Sequence, residues 1–306
     1  MLLFVGAGLS QELGYPLWGG YLDALERELG ANAPADLDSL GRADWLKRAF
    51  EGDGRRDDYL AHLQHTFSPN PAAQYSALQL ALIRLGFRGV ITTNYEPSLE
   101  HAMTAENQRS HRLPCTSLDL GDPRPFSVFR FLRLVARSPS MEHVLHLHGV
   151  HDQPERIVLT QADYEAHYGD IVTTVDGIPT QTSLDRIPRK VVWSLLLTYP
   201  TLFVGLSLDD PALHYILGII RADFRRGRHL DHFAIMGAES DEEEGILRDR
   251  WIREGITPIF YRVVKSPEFG TDHSNIKTLV ADLGTQLAVD VGLDSLGRFS
   301  RRMLDL

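Results

Sequence analysis

The chain opens with LLFVGAGLSQELGYPLW, residues 2–18, in which an apolar run from Leu2 to Val5 leads straight into Gly6, Ala7, Gly8 and Ser10, then a second turn at Gly14 and Pro16. Four apolar residues followed by glycines are the pattern of a buried strand that turns tightly into a helix. Such a turn lets backbone N–H groups approach a pyrophosphate, and the helix start behind it adds favourable partial charge. Gly6 and Gly8 fit that role. The ordinary dinucleotide fingerprint needs a small residue at position 11, where Gln11 stands, and an acidic residue closing a second strand about 20 residues on. No Lys follows a glycine as a Walker A loop requires, so the chain lacks the means to work as an ATPase by itself. Taken alone, the turn reads equally well as a plain strand-to-helix corner.

Outward from this stretch, further apolar runs at Gly89 to Thr92, His143 to Leu147, Thr201 to Gly205, His232 to Met236 and Pro258 to Val263 read as strands. Helical spacing lies between them, as in Tyr21 to Leu29 and in Pro211 to Phe224 with Leu213, Ile216, Leu217 and Ile220 on one face. The alternation predicts an α/β, doubly wound, mainly parallel Rossmann-like sheet covered by helices on both sides. The expected layout is one domain over residues 1–270 with a helical insert at about 30–85, then a helical tail over 271–306. Residues 95–140 read as long connections and 165–189 as a mobile loop. The acidic run SDEEEG, Ser240 to Gly245, reads as a solvated helix start.

Composition narrows the function classes. The chain has 306 residues, 43% hydrophobic and 24% charged, enough for a full core. Its net charge of −10 argues against direct nucleic-acid binding. No apolar stretch reaches the ~18 residues of a membrane span and no basic region precedes the first one, so a cytoplasmic protein with no membrane partner is expected. Cys115 is the single cysteine and can form neither an internal disulfide nor a four-cysteine zinc site.

Three more strand ends carry polar residues at the edge where open α/β sheets hold ligands: ITTNYE (Ile91 to Glu96), HLHGV (His146 to Val150) and FVGLSLDDP (Phe203 to Pro211). In order, GAGLS, TTNYE, HG and GLSLDD resemble the sirtuin motifs. The wider pattern, with LGYPLW and IVLTQADY (Ile157 to Tyr164), resembles the sirtuin-like NAD hydrolases of bacterial antiphage defence, over about residues 2–265. The resemblance implies NAD as substrate and a phosphate-binding loop at Gly6, Ala7, Gly8 and Ser10. It implies a flexible cofactor loop through Gly14, Pro16 and Trp18, with Thr93 and Glu96 also on the cofactor. Asn94 falls beside the nicotinamide ribose, His148 takes the part of the catalytic histidine, and Gly205, Ser207 and Asp209 hold the adenosine side. Glu96 stands where these families usually have Asp.

The missing zinc module shifts the expectation from deacylation to hydrolysis of the nicotinamide–ribose bond. That reaction needs a ribose held so that oxocarbenium character can develop, and no strong acid, because the leaving group loses its positive charge on departure. Asn94 would orient the ribose hydroxyls or the attacking water, and His148 would accept a proton. Two other readings stand beside it: a module that senses NAD or ADP-ribose without turnover, and a sirtuin-type deacylase or ADP-ribosyltransferase. Each residue also has a plainer role. Asn94 can cap a turn, and Asp209 and Asp210 can cap a helix. Ser207 lacks the second glycine of a nucleophile elbow. Strand alternation puts His146 and His148 on one face and His143 on the other, which disfavours a metal site. An unrestrained NAD hydrolase would deplete its own cell, and about 40 residues follow the motifs, fewer than a sensor domain needs. The expectation is therefore control by assembly: a homo-oligomer gated by a partner such as a HerA-like ATPase, with two candidate surfaces, the first strand at Leu2 and the tail from Ser274 to Leu306, whose apolar stripe packs either on its own core, the plainer reading, or on a neighbouring subunit.

Overall fold

Seven strands form one sheet: β1 (Leu2–Val5), β2 (Val90–Thr92), β3 (Thr116–Asp119), β4 (His143–His146), β5 (Thr201–Val204), β6 (His232–Ala238) and β7 (Ile256–Arg262). Their order is β3-β4-β2-β1-β5-β6-β7, and every pairing is parallel. The computed structural model describes residues 1–122, 126–137, 141–169, 174–175, 178–179, 186–206, 210, 213, 216–218, 220, 232–266 and 270–289. From β1 the chain winds outward on one side through β2, β3 and β4, then returns to the other side for β5, β6 and β7. The reversal falls between β1 and β5, and a sheet of this kind opens a ligand crevice at the carboxyl ends of its strands there.

β1 is apolar without alternation because it has no solvent side. Leu2 and Phe4 face a cluster built with α6 (Phe126–Arg137), α7 (Gln161–Tyr168), α8 (Ile187–Thr198) and α9 (Asp241–Arg253). Leu3 and Val5 face the opposite layer of α4 (Ala77–Arg84), α5 (Ser98–Arg109) and α10 (Asn275–Val289). A third cluster joins α1 (Trp18–Leu29), α2 (Ser39–Gly52) and α3 (Arg56–Thr66) to Leu13, Tyr15, Ile157 and Leu159. Tyr15, Tyr21 and Phe67 of this cluster also line the cleft described below.

Two expectations are corrected. The stretch 95–140 holds α5, β3 and α6 rather than long connections. β3 escaped notice because it is an edge strand: Thr116 and Ser117 are exposed and Asp119 is the buried end, so no apolar run marks it. The first strand at Leu2 is no assembly surface, since it sits in the middle of the sheet with Leu2 fully buried. Of the two placements open to the tail's apolar stripe, the plainer one holds for Ile276, Val280 and Leu283, which pack on the chain's own core. Of the helix expected at Pro211 to Phe224, Leu213, Ile216, Leu217 and Ile220 are helical and buried, and the rest lies outside the described residues. Most of the loop expected at 165–189 is also outside them, with α7 ending at Tyr168 and α8 starting at Ile187. The acidic run does start a helix, α9, capped by Ser240. Among the described residues no helix is long and apolar enough to cross a membrane.

Where β1 and β5 end, their backbones touch. Gly8 N–H donates to the Gly205 carbonyl at 2.9 Å, and Gly6 N–H to that of Val204 at 3.0 Å. A Cβ on Gly6 would lie 2.5 Å from the Gly205 carbonyl oxygen, and one on Gly205, at φ +65°, 2.6 Å from Leu9 N. Both contacts are with backbone, which has no rotamer by which to yield. Gly205→Ala should therefore cost about 2–4 kcal/mol, from left-handed strain and the clash together. Gly245→Ala, in α9 with open space around it, should instead stabilise by roughly 0.5–1 kcal/mol. Thermal unfolding of the two variants checks this, and equal melting temperatures would refute the contact.

Candidate functional site

The turn after β1 winds into a 3₁₀ helix, Ala7–Leu13, which carries Ser10 down into the protein. Ser10 is fully buried, and its hydroxyl donates to Glu96 Oε1 at 2.5 Å. Asn94 follows β2; its backbone N–H donates to Thr92 Oγ1, and Thr92 in turn donates to the Val5 carbonyl. The two hydrogens of Asn94 Nδ2 go to Ser10 Oγ at 3.2 Å and Glu96 Oε1 at 2.9 Å. Ser98 also donates to Glu96 Oε1, and Gln79, whose side chain closes the capping box of α4, donates to Ser98 at 2.8 Å. With Nδ2 engaged on both sides, Oδ1 is the atom of the Asn94 amide left over, buried and without a hydrogen-bond partner. Burial raises the Glu96 carboxyl above its usual range, against the hydrogen bonds from Ser10 and Asn94.

Behind this network lies an ion pair. His146, at the end of β4, has one ring nitrogen 2.7 Å from the Asn94 carbonyl and the other 2.6 Å from Glu100 Oε1. Both side chains are almost wholly buried. Burial works against the charge on His146, yet Glu100 overrides it and the pKa is raised; the same coupling, with a hydrogen bond from Ser117, lowers that of Glu100. A doubly protonated imidazolium donates to both acceptors, and so clamps the Asn94 backbone.

His148 sits on the other side of the sheet, which corrects the expected alternation. β4 stops at His146, so strand alternation no longer governs His148, which packs against α7 while His146 faces Glu100 of α5. Its ring meets Tyr164 edge-on at 5.1 Å and Tyr168 at 5.9 Å. Its Nε2 is 3.6 Å from Asp210 Oδ2, which also accepts from the Tyr164 hydroxyl at 3.2 Å. Burial holds the His148 pKa below its ordinary 6.5, against the pull of Asp210, so the ring is neutral at pH 7.

Asn94, Glu96, His148, Tyr164 and Asp210 share one cleft of about 580 Å³ including its mouth. Of the residues singled out in the sequence, Ala7, Pro16, Trp18, Thr93, Asn94, Glu96 and His148 line it. Gly6, Gly8 and Gly205 instead form the backbone contact beside it, and Ser10 belongs to the network beneath Asn94. Gly14 turns the chain at the end of the 3₁₀ helix, at φ +88°. Ser207 and Asp209 lie outside the described residues. Sequence reasoning missed Asp210, taken as a helix cap, and the aromatic wall of Tyr15, Tyr21, Phe67, Tyr95 and Tyr164. The stretch IVLTQADY did end on Tyr164, but nothing in its spacing aims that ring at His148. Among the described residues no group of three or more His, Cys, Asp or Glu is arranged to hold a metal ion.

A parallel doubly wound sheet with Asn and His converging from the ends of β2 and β4 is the framework of a SIR2-type protein. Residues 88–259 match the SIR2-like domain, and the chain belongs to that family. It is 26% identical over 282 residues, 91% of its length, to the NAD(+) hydrolase ThsA of Bacillus cereus (strain MSX-D12), covering 50% of that protein. It is 25% identical to the NAD(+) hydrolase ThsA of Enterococcus faecium over 76% of this chain and 42% of the relative, and 24% identical to that of Acinetobacter baumannii (strain 532279) over 76% and 41%. The chain thus spans about half the length of the curated relatives it matches, or less.

The buried ion pair makes a pH-dependent prediction. Glu100→Gln leaves His146 without its countercharge and should cost about 3–5 kcal/mol. The raised His146 contributes stability that is complete below 6.5 and lost as pH rises through its folded pKa; the lowered Glu100 contributes stability that is complete above 4.5 and lost as pH falls through its own. The gap between wild type and Glu100→Gln should therefore be widest between these two values and shrink on either side. Urea unfolding across pH measures it, and a gap independent of pH would contradict a charged pair.

Proposed function

We propose that this protein hydrolyses NAD at the nicotinamide–ribose bond, releasing nicotinamide and ADP-ribose. The observation that carries the reading is the orphaned Asn94 Oδ1, a buried acceptor on a residue that lines the same cleft as a neutral His148. A buried acceptor without a donor is costly unless a ligand supplies one, and a ribose hydroxyl or a water meets that need. In this mechanism Asn94, its amide held by Ser10 and Glu96 and its carbonyl by His146, orients that oxygen. His148 takes the proton as water adds to the anomeric carbon and nicotinamide leaves with the bonding electrons, its ring charge neutralised. Glu96 and Thr93 face the departing base, while Ala7, Pro16 and Trp18 flank the cofactor. The names of the ThsA relatives support this substrate and reaction.

The proposal extends, by likeness to bacterial defence effectors, to depletion of NAD in the cytoplasm of phage-infected cells. There a homo-oligomer would be restrained or released by a partner such as a HerA-like ATPase. Nicotinamide release from purified protein tests the chemistry. Asn94→Ala and His148→Ala should each lower it about 100-fold or more while the melting transition is retained. Since His148 must be neutral to accept a proton, wild-type turnover should fall as pH drops through a pKa below 6.5. Wild-type rates in either variant would overturn the assignment.

A further inference from the structure

Asp210 has more partners than a helix cap requires. Its Oδ1 accepts the Leu213 N–H at 3.0 Å, which is the capping bond. Its Oδ2 is committed elsewhere, to the Tyr164 hydroxyl at 3.2 Å and toward His148 Nε2 at 3.6 Å. The carboxylate is 11% exposed and the imidazole 5%, so little water screens them from each other. Tyr164 and Tyr168, four residues apart on α7, pack against the His148 ring in T-shaped arrangements. We infer that Asp210 is a positioning residue for His148: held by Tyr164 and by its own helix start, its carboxylate orients the imidazole and balances the positive charge that arises when the ring takes a proton.

The inference rests on the NAD-hydrolase reading for its catalytic consequence, not for the pairing itself. At 3.6 Å a neutral imidazole and a carboxylate are not hydrogen-bonded; proton transfer from the water or ribose hydroxyl to His148 creates an ion pair that can close to hydrogen-bond length. Among the described residues, the titratable groups around His148 are Asp210, then Tyr164, His167 and Tyr168 from α7, with Tyr95 and Glu96 on the same cleft. Burial raises the three tyrosines far above neutrality and lowers His167 to about 3, so all four are uncharged at pH 7. Asp210 is thus the countercharge within reach of the imidazole.

Asp210→Asn separates this role from capping, because Asn caps helices as well as Asp does. If Asp210 only caps, the variant should match wild type. On the positioning role, the His148 titration followed by NMR of histidine-labelled protein, assigned by its loss in His148→Gln, should move down by about one pH unit. The kcat of nicotinamide release should fall about tenfold or more with KM for NAD little changed, and the acid limb of the pH profile should shift downward with the titration. Asp210→Glu, which keeps the charge, should recover part of both. A wild-type titration and pH profile in Asp210→Asn would overturn the inference, and Asp210→Ser, also a good cap, gives the same comparison should the Asn variant fail to fold. If wild-type protein releases no nicotinamide, the hydrolase reading falls while the titration still decides the pairing.

Discussion

Where the ends of β1 and β5 meet, two backbones lie closer than any side chain would permit. The Gly6–Gly205 approach sets what surrounds it: the chain leaving β1 cannot run straight on and winds at once into a 3₁₀ helix, so Ser10 drops beneath the sheet end instead of pointing outward. From there its hydroxyl reaches Glu96 and Asn94, which follow β2, the strand beside β1 away from β5. A contact between glycines thus ties the topological reversal of the sheet to the orientation of one amide. Substituting either glycine disturbs the fold and the site together, since both depend on the same few ångströms.

The second organising feature is a division of two carboxylates and two histidines by burial and pairing. His146 and Glu100 face each other under the sheet end, and each favours the charged form of its partner. Glu96, with hydroxyl and amide donors in place of a full countercharge, moves the other way under desolvation, and His148, set among aromatic edges, is held neutral. At neutral pH these groups therefore present one buried ion pair, whose cation is His146, and one uncharged base, His148. Pairs of titratable groups pushed apart by environment are how a protein assigns acid, base and scaffold roles to similar side chains. The fixed cation is spent on the Asn94 backbone, and the base is left facing the cleft.

The helical layer over the cleft has a matching logic. α1, α2 and α3 share a core with Ile157 and Leu159, and its rim of Tyr15, Tyr21 and Phe67 becomes the apolar wall beside Asn94 and His148. On the proposed reading that wall excludes bulk water while one water reacts. Aromatic rings supply large contact area with few rotatable bonds, which suits a wall that must keep its shape.

The strands buried on both faces were legible from the chain alone. Leu2 to Val5 and Leu202 to Val204 must be apolar at every position once helices cover both sides, and a run of that kind ends visibly at its glycines. The placement of Asn94, His148 and the glycine loop at one sheet edge was also readable, because each stands within a few residues of the end of a buried strand, where local order in the sequence becomes adjacency. β3 was not readable, since an edge strand has one solvated side and no apolar signature. Nor was the side on which His148 falls: alternation holds only while the strand lasts, and β4 ends two residues earlier. The partnership of Asp210 with Tyr164 and His148 joins segments 46 residues and more apart, and no local pattern records it. Sequence determined which residues reach the edge of the sheet, because that follows from strand length and polarity; the tertiary structure alone decided which of them face one another, because that depends on how turns rotate and helices pack across the crevice.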